Sequence, residues 1–206
     1  MSNSKHKVFI SYHHKNDQDY KESLLDANEK YDLFIDASVD TGDIDDDLTD
    51  ERSRQIIRDD YLRDSTVTIL LVGVETKTRK HIDWEIYSSM YDGQVNKKSG
   101  VLVINLPSTG CTYFTAAHGE EEKNSVYPSD SSWTTINDRA EYERRYPYMP
   151  SRIIDNLLKS GAKVSVTNWD TIAEDLNKLE LLIDLTHSDR SSCDYDLSQP
   201  MRRANS

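Results

Sequence analysis

One short stretch gathers side chains able to do chemistry: Lys77, Arg79, Lys80 and His81, followed by Asp83-Trp84-Glu85. The cations stand out because the 206-residue chain is acidic, with 25 Lys and Arg against 37 Asp and Glu and a formal net charge of −12. Clustered ammonium and guanidinium groups meet phosphates, and an aromatic ring stacks on a flat base. A carboxylate at a helix N-terminus is kept ionised by the helix dipole. Glu85 is therefore expected to be an ionised carboxylate beside an anionic, ring-bearing ligand. A plainer reading fits the same residues: Asp83 and Glu85 stabilise a helix start, and Trp84 is core. Spacing alone leaves both open.

Other chemical patterns fail on strict positions. A phosphate-cradling loop needs glycines after the first strand, where backbone amides approach phosphate closely; residues 11–15 contain none. Asp36, Ser38 and Asp40 have the 1, 3, 5 spacing of a calcium loop, but Gly42 falls one position late and Asp47 stands where a bidentate Glu is required. A phosphorelay receiver needs paired acids after strand 1 and an Asp ending strand 3, where this chain has Tyr12-His13-His14 and Gly73-Val74. His13, His14, His118, His187 and the two cysteines show no pair with zinc-site spacing. No metal site is expected. A structural or substrate-facing role for His13 or His14 is the better reading.

The elements that position these residues follow from periodicity. Residues 7–12 form a β-branched and aromatic run, strand 1; helix formers over 19–30 predict helix 1; and 31–37 returns to strand composition, strand 2. Residues 49–63 predict helix 2, with Asp50 and Glu51 in its first turn. The nearly continuous apolar run 65–74 is a central strand 3 covered on both faces. Ile82, Ile86 and Met90 recur every four residues on one face of a helix over 82–91, and 99–106 is strand 4. Residues 108–150 lack a clear period and predict an irregular insertion. A short helix over 151–159, strand 5 over 163–169 and a last helix opened by a Thr171-x-x-Glu174 capping box follow. Strands alternating with helices predict an α/β fold, a doubly wound five-stranded parallel sheet with helices on both faces. One domain over 1–187 and a flexible tail over 188–206 are expected.

The acidic balance argues against nucleic acid and anionic membranes as partners. Ten acids against three arginines fall within residues 36–60, so the charge is uneven and the 77–81 loop remains locally cationic. No apolar run approaches the roughly 20 residues needed to span a bilayer, no leader-like segment opens the chain, and two cysteines are too few for a disulfide scaffold. A cytoplasmic location is expected. In a doubly wound sheet, ligands bind outside the carboxyl ends of the strands, here the loops 11–17, 36–46 and 75–85.

Val8-Phe9-Ile10-Ser11-Tyr12 resembles the first box of TIR domains, and residues 66–74 followed by Trp84-Glu85-Ile86 resemble the strand and helix bearing their catalytic glutamate. Over residues 5–106 the match is more specific. The Ser-Tyr-His run, Phe-Ile-Asp-Ala-Ser, Ser-Thr-Val-Thr and the cationic loop before Glu85 resemble the TIR-like ThsB family of the Thoeris antiphage system. This resemblance implies a TIR-like, flavodoxin-like fold and an enzyme that breaks the nicotinamide–ribose bond of NAD⁺. It also implies cyclisation of the ADP-ribose into a second messenger for a ThsA-like effector. Glu85 is then the catalytic carboxylate, with Ser11, Tyr12, His13, Asp36, Lys77, Arg79, Lys80 and Trp84 as substrate contacts. Tyr12 and Trp84 would frame the bases, and the cations would meet the diphosphate. NAD⁺ is substrate, no separate cofactor is implied, and a homo-oligomer is compatible. A non-enzymatic adaptor or nucleotide sensor, and a plain NAD⁺ glycohydrolase, are the alternatives. Two departures are visible: the acidic stretch after strand 2 lacks an Arg-Asp-x-x-Pro-Gly pattern, and nothing beyond residue 108 matches a TIR motif.

Overall fold

Alternation along the strands decides which helix each residue meets. In the computed structural model, which describes residues 5–37, 52, 56, 57, 59, 62, 64–94 and 96–205, β1 (Lys7–Ser11) leads into α1 (His14–Tyr31) and the short β2 (Ile35–Asp36). Then come β3 (Val67–Val72), α2 (Lys80–Met90) and β4 (Gly100–Asn105). The second half holds α3 (Glu120–Val126), α4 (Arg139–Arg145), α5 (Ser151–Leu158), β5 (Ser165–Asn168), α6 (Trp169–Glu174) and α7 (Leu176–Asp189). All five strands pair in parallel in the order β2-β1-β3-β4-β5. This is the expected α/β sheet, and its order reverses between β1 and β3.

Val8, Ile10, Ile69, Leu71, Leu102 and Ile104 pack on one face with Leu24 of α1 and Leu179, Leu182 and Ile183 of α7. Their neighbours Leu70, Val72, Val101 and Val103 point the other way, onto Ile82, Ile86 and Met90 of α2 and Ile153 and Ile154 of α5. Two-residue periodicity in buried strands meeting apolar stripes on helices is what fills both layers. Ser11 shares the parity of Phe9, which packs on Trp84 of α2, so its hydroxyl is delivered to the α2 face.

Gly100 opens β4 where α7 crosses it. A Cβ there would lie 2.4 Å from the backbone oxygen of Thr186, and a helix carbonyl cannot step aside as a side-chain tip does. Gly100→Ala is expected to cost about 2 kcal/mol or more, the scale of overpacking a fitted core. Urea unfolding checks it, and a loss below about 0.5 kcal/mol would contradict this reading of the contact.

Several expectations change. The helix expected over 49–63 and the acidic loop weighed for calcium lie largely outside the described residues; Ile57 and Leu62 are buried against Phe9. The 108–150 insertion is less irregular than its composition implies. It forms α3 and α4, and Thr115 pairs antiparallel with Val166, covering the β5 edge. Phe114 stacks on Tyr127, and Trp133 meets both rings edge-on. The Thr171-x-x-Glu174 box does not start the last helix. Asp175 is extended and caps α7 by accepting from Asn177 N–H, so α6 and α7 are separate. The segment expected to be a flexible tail is instead docked over its described residues: Cys193, Tyr195 and Met201 are buried and Leu197 packs against the core. Among the described residues, no helix is long and apolar enough to cross a membrane.

Candidate active site

The carboxyl ends of β1 and β3 flank the switch point of the sheet, the place where a doubly wound fold leaves a crevice. Glu85 reaches it from α2. Ile82, Glu85, Ile86 and Ser89 share the inward stripe of that helix, and Ser89 Oγ lies 2.8 Å from Thr68 Oγ1 on β3. An acid at a core position of a helix is unusual, since carboxylates are rarely fully buried without a partner. Here the partner is Ser11, whose hydroxyl donates to Glu85 Oε2 at 2.6 Å.

The protonation of Glu85 differs from the expectation. The helix begins at Lys80, so Glu85 is in its second turn, beyond the reach of the terminal dipole. Burial raises its pKa to about 7, and the Ser11 hydroxyl bond opposes the rise. Glu85 is thus a carboxyl that changes charge near neutral pH.

Two further acids come to the same end of the sheet, neither anticipated from the sequence. Asp17, in the first turn of α1, is 3% exposed, and its carboxylate oxygens lie 2.5 Å from where a Cβ on Gly73 would be. Gly73 follows β3, so only a residue without a side chain admits Asp17 across the strand end. Burial raises the pKa of Asp17. A Gly following a buried strand was the available signal; nothing local marked which helix would approach it. Glu75, in the turn after β3, pairs with Arg79 and lies 3.9 Å from His13 Nε2. Burial, then the Arg79 charge, depress the His13 pKa. Thr76 closes the turn by accepting from Gly73 N–H.

Ser11 and Glu85 are therefore paired, and His13 and Arg79 meet through Glu75 at the same end of the sheet. The remaining sequence candidates are dispersed. Trp84 is 4% exposed, packs with Phe9, Ile57, Leu62 and Met201, and donates its indole N–H to Arg202 O. It is core, as the plainer reading had it. Tyr12 lies on the opposite face, donates to Gln18 and stacks on His14. The two rings cannot frame a common ligand, because residues 11 and 12 alternate across the sheet. Lys77 donates to Pro147 O in the insertion. Lys80 is buried, with its ammonium 5.4 Å from the centre of the Trp84 ring. Asp36 sits on the edge strand beside Val8. The cationic run thus splits, since successive residues entering a helix point in different directions. Among the described residues, no cluster of three or more His, Cys, Asp or Glu side chains is arranged to hold a metal ion.

A buried carboxyl titrating near 7, oriented by a hydroxyl at the switch point, can meet a developing positive charge when ionised or exchange a proton when neutral. A family model described as Thoeris protein ThsB, TIR-like domain, matches residues 9–110, which include Ser11, Asp17, Gly73 and Glu85. No curated protein matches the chain.

Proposed function

Residues 9–110 belong to the TIR-like domain family of the Thoeris protein ThsB, a family whose role is antiphage defence, and on that premise we propose that this chain cleaves the nicotinamide–ribose bond of NAD⁺. The observation that carries this reading is Glu85, buried at the β1/β3 switch point with its carboxylate fixed by Ser11 at 2.6 Å.

The chemistry asks for one anion. Nicotinamide in NAD⁺ is a pyridinium, so when the C1′–N bond breaks its electron pair neutralises the leaving group and no acid is needed. The positive charge passes to C1′ and the ring oxygen of ribose. An ionised Glu85 held in a dry site stabilises that oxocarbenium-like centre far better than water does. A nucleophilic position of the same ADP-ribose then bonds to C1′ and loses its proton to solvent, giving a cyclic isomer. Water in that place gives ADP-ribose instead. Ser11 holds the carboxylate, and His13 with the Glu75–Arg79 pair borders the site. NAD⁺ is substrate, and no separate cofactor enters. The cyclic product is the signal read by a ThsA-like effector.

Purified protein incubated with NAD⁺, alone and with extract of phage-infected cells, is expected to release nicotinamide and yield a product with the mass of ADP-ribose less one water. Nicotinamide with ADP-ribose alone favours plain hydrolysis. NAD⁺ left intact in both arms favours a non-enzymatic adaptor or nucleotide sensor and overturns the proposal. The pH profile is a sharper check. Only ionised Glu85 acts, so kcat/KM is expected to rise with pH through a single step near 7, with about tenfold lower rate one unit below the midpoint. A flat profile between pH 5.5 and 8.5 would remove Glu85 from the reaction.

A further inference from the structure

Residues 199–205 lie against the helix that carries Glu85, and they hold it mainly by hydrogen bonds. Asn205 Oδ1 accepts from the backbone N–H of Lys80, the first residue of α2, at 2.9 Å. That is one of the donors a helix start leaves without an internal partner. The Arg202 N–H donates to Asp83 Oδ2 at 2.8 Å, and its carbonyl accepts from Trp84 Nε1 at 2.7 Å. Arg152 of α5, 3% exposed, ties both sides together. It forks onto Asp83 through Nε and Nη2 at 2.9 and 3.0 Å, and donates to the carbonyls of Gln199 and Pro200 at 3.0 and 3.1 Å. Its guanidinium lies 4.8 Å from the centre of the Tyr87 ring.

These contacts fall on residues 80, 83, 84 and 87, the turns that bracket Glu85. Met201 is the one buried side chain of the segment. Seven residues that bury a single apolar side chain yet spend their polar groups on one helix start are placed to fix that helix, more than to enlarge the core. Neither Arg152 nor the segment falls within the family-matched residues.

We propose that residues 199–205 are a strap that positions α2, with Arg152, Asp83 and Asn205 as positioning residues that keep the Glu85 carboxylate seated on Ser11. The proposal rests on the reading that Glu85 is the acting carboxylate. Release of the strap lets the first turns of α2 shift and Glu85 hydrate, and a small misplacement of a catalytic group costs tenfold or more in rate.

The test compares the full chain, a chain shortened to end at Ser198, and Asn205→Ala, an exposed position whose loss does not threaten folding. Two readouts are followed: kcat and KM on NAD⁺, and titration of the Glu85 carboxyl by carbon-13 NMR. The shortened chain is expected to keep its circular dichroism and its KM while kcat falls about tenfold or more. Its Glu85 midpoint is expected to move from near 7 toward the ordinary glutamate value. A synthetic peptide of residues 199–206 added in trans restores both. Asn205→Ala moves both the same way, by less, and decides the matter if the shortened chain does not fold. Full kcat with an unmoved midpoint in a folded variant overturns the strap. Should the full chain leave NAD⁺ untouched, the proposed function fails, and the titration alone decides the strap: a moved midpoint supports it and an unmoved one overturns it.

Discussion

Glu85→Gln is expected to abolish conversion of NAD⁺, with a fall of about 10³-fold or more in kcat, while the circular dichroism spectrum stays that of the wild type. The size follows from what is removed. A neutral amide keeps the shape and can still accept the Ser11 hydroxyl bond, but it brings no negative charge to the ribose. Loss of one preorganised electrostatic contact in a water-excluded site costs about 10²–10³ in rate, and here the only full anion seated on Ser11 is lost. Stability should move the other way. The Glu85 pKa rises from 4.5 to about 7 in the fold. A raised folded pKa gives stability that is complete below the unfolded value and is lost as pH climbs through the folded one. Burying the charge at pH 8 therefore costs up to about 3 kcal/mol, a cost the amide does not bear. Urea denaturation at pH 5 and pH 8 is expected to show that the change in stability on going to pH 8 is more unfavourable in the wild type than in Glu85→Gln, by up to about 3 kcal/mol. Unchanged turnover in the variant would sink the catalytic assignment. Equal pH dependence in both proteins would mean that Glu85 is not the group titrating near 7. The pairing of lost activity with gained stability is the usual mark of a site that spends stability on function.

The sheet was legible because its signal is local. Apolar runs at 7–12, 65–74 and 99–106 were bounded by polar loops, and their spacing admitted little besides parallel strands with helical crossovers. Glu85 was legible for a different reason: it follows the locally cationic 77–81 loop, and Trp84-Glu85-Ile86 resembles the TIR helix that bears the catalytic glutamate. Its ionisation differs from the expectation because the apolar stripe begins at Ile82 while the helix begins at Lys80, and because the depth of burial depends on strands far away in sequence. Asp17 and Glu75 were missed since neither has a neighbour in sequence that gives it away. Asp17 meets Gly73 across 56 positions, and only the β1–β3 pairing creates that contact. The cationic loop failed differently. Four basic residues adjacent in sequence suggest one patch, yet entry into α2 sends Lys77 toward Pro147, Arg79 to Glu75 and Lys80 over Trp84. Residues 199–205 were invisible as structure, because a polar segment with one Met carries no period; their order comes from hydrogen-bond partners on α2 and α5.

Those partners make Arg152→Met the substitution with the largest expected effect on stability, about 3–5 kcal/mol. Methionine fills similar space, so packing accounts for little of it. What remains is Asp83, its side chain 12% exposed, facing a helix with its guanidinium gone. Breaking one side of a buried pair leaves an uncompensated charge, which costs more than the pair contributed when whole. The carbonyls of Gln199 and Pro200 lose their donors as well. For a domain of this size the loss corresponds to a fall in Tm on the order of 10 °C. Arg152→Lys should recover part of it, since the charge returns without the fork that meets both Asp83 oxygens. The double variant Asp83→Leu with Arg152→Met decides where the cost lies. Replacing both partners by apolar groups removes the stranded carboxylate, so the double variant should be more stable than Arg152→Met alone, a coupling visible in a double-mutant cycle. If the two single losses simply add, the Asp83–Arg152 pair is not what holds this junction, and the hydrogen bonds from Arg152 to the 199–200 backbone carry it. In either case the residue acts from α5, outside the family-matched segment, on the helix that presents Glu85.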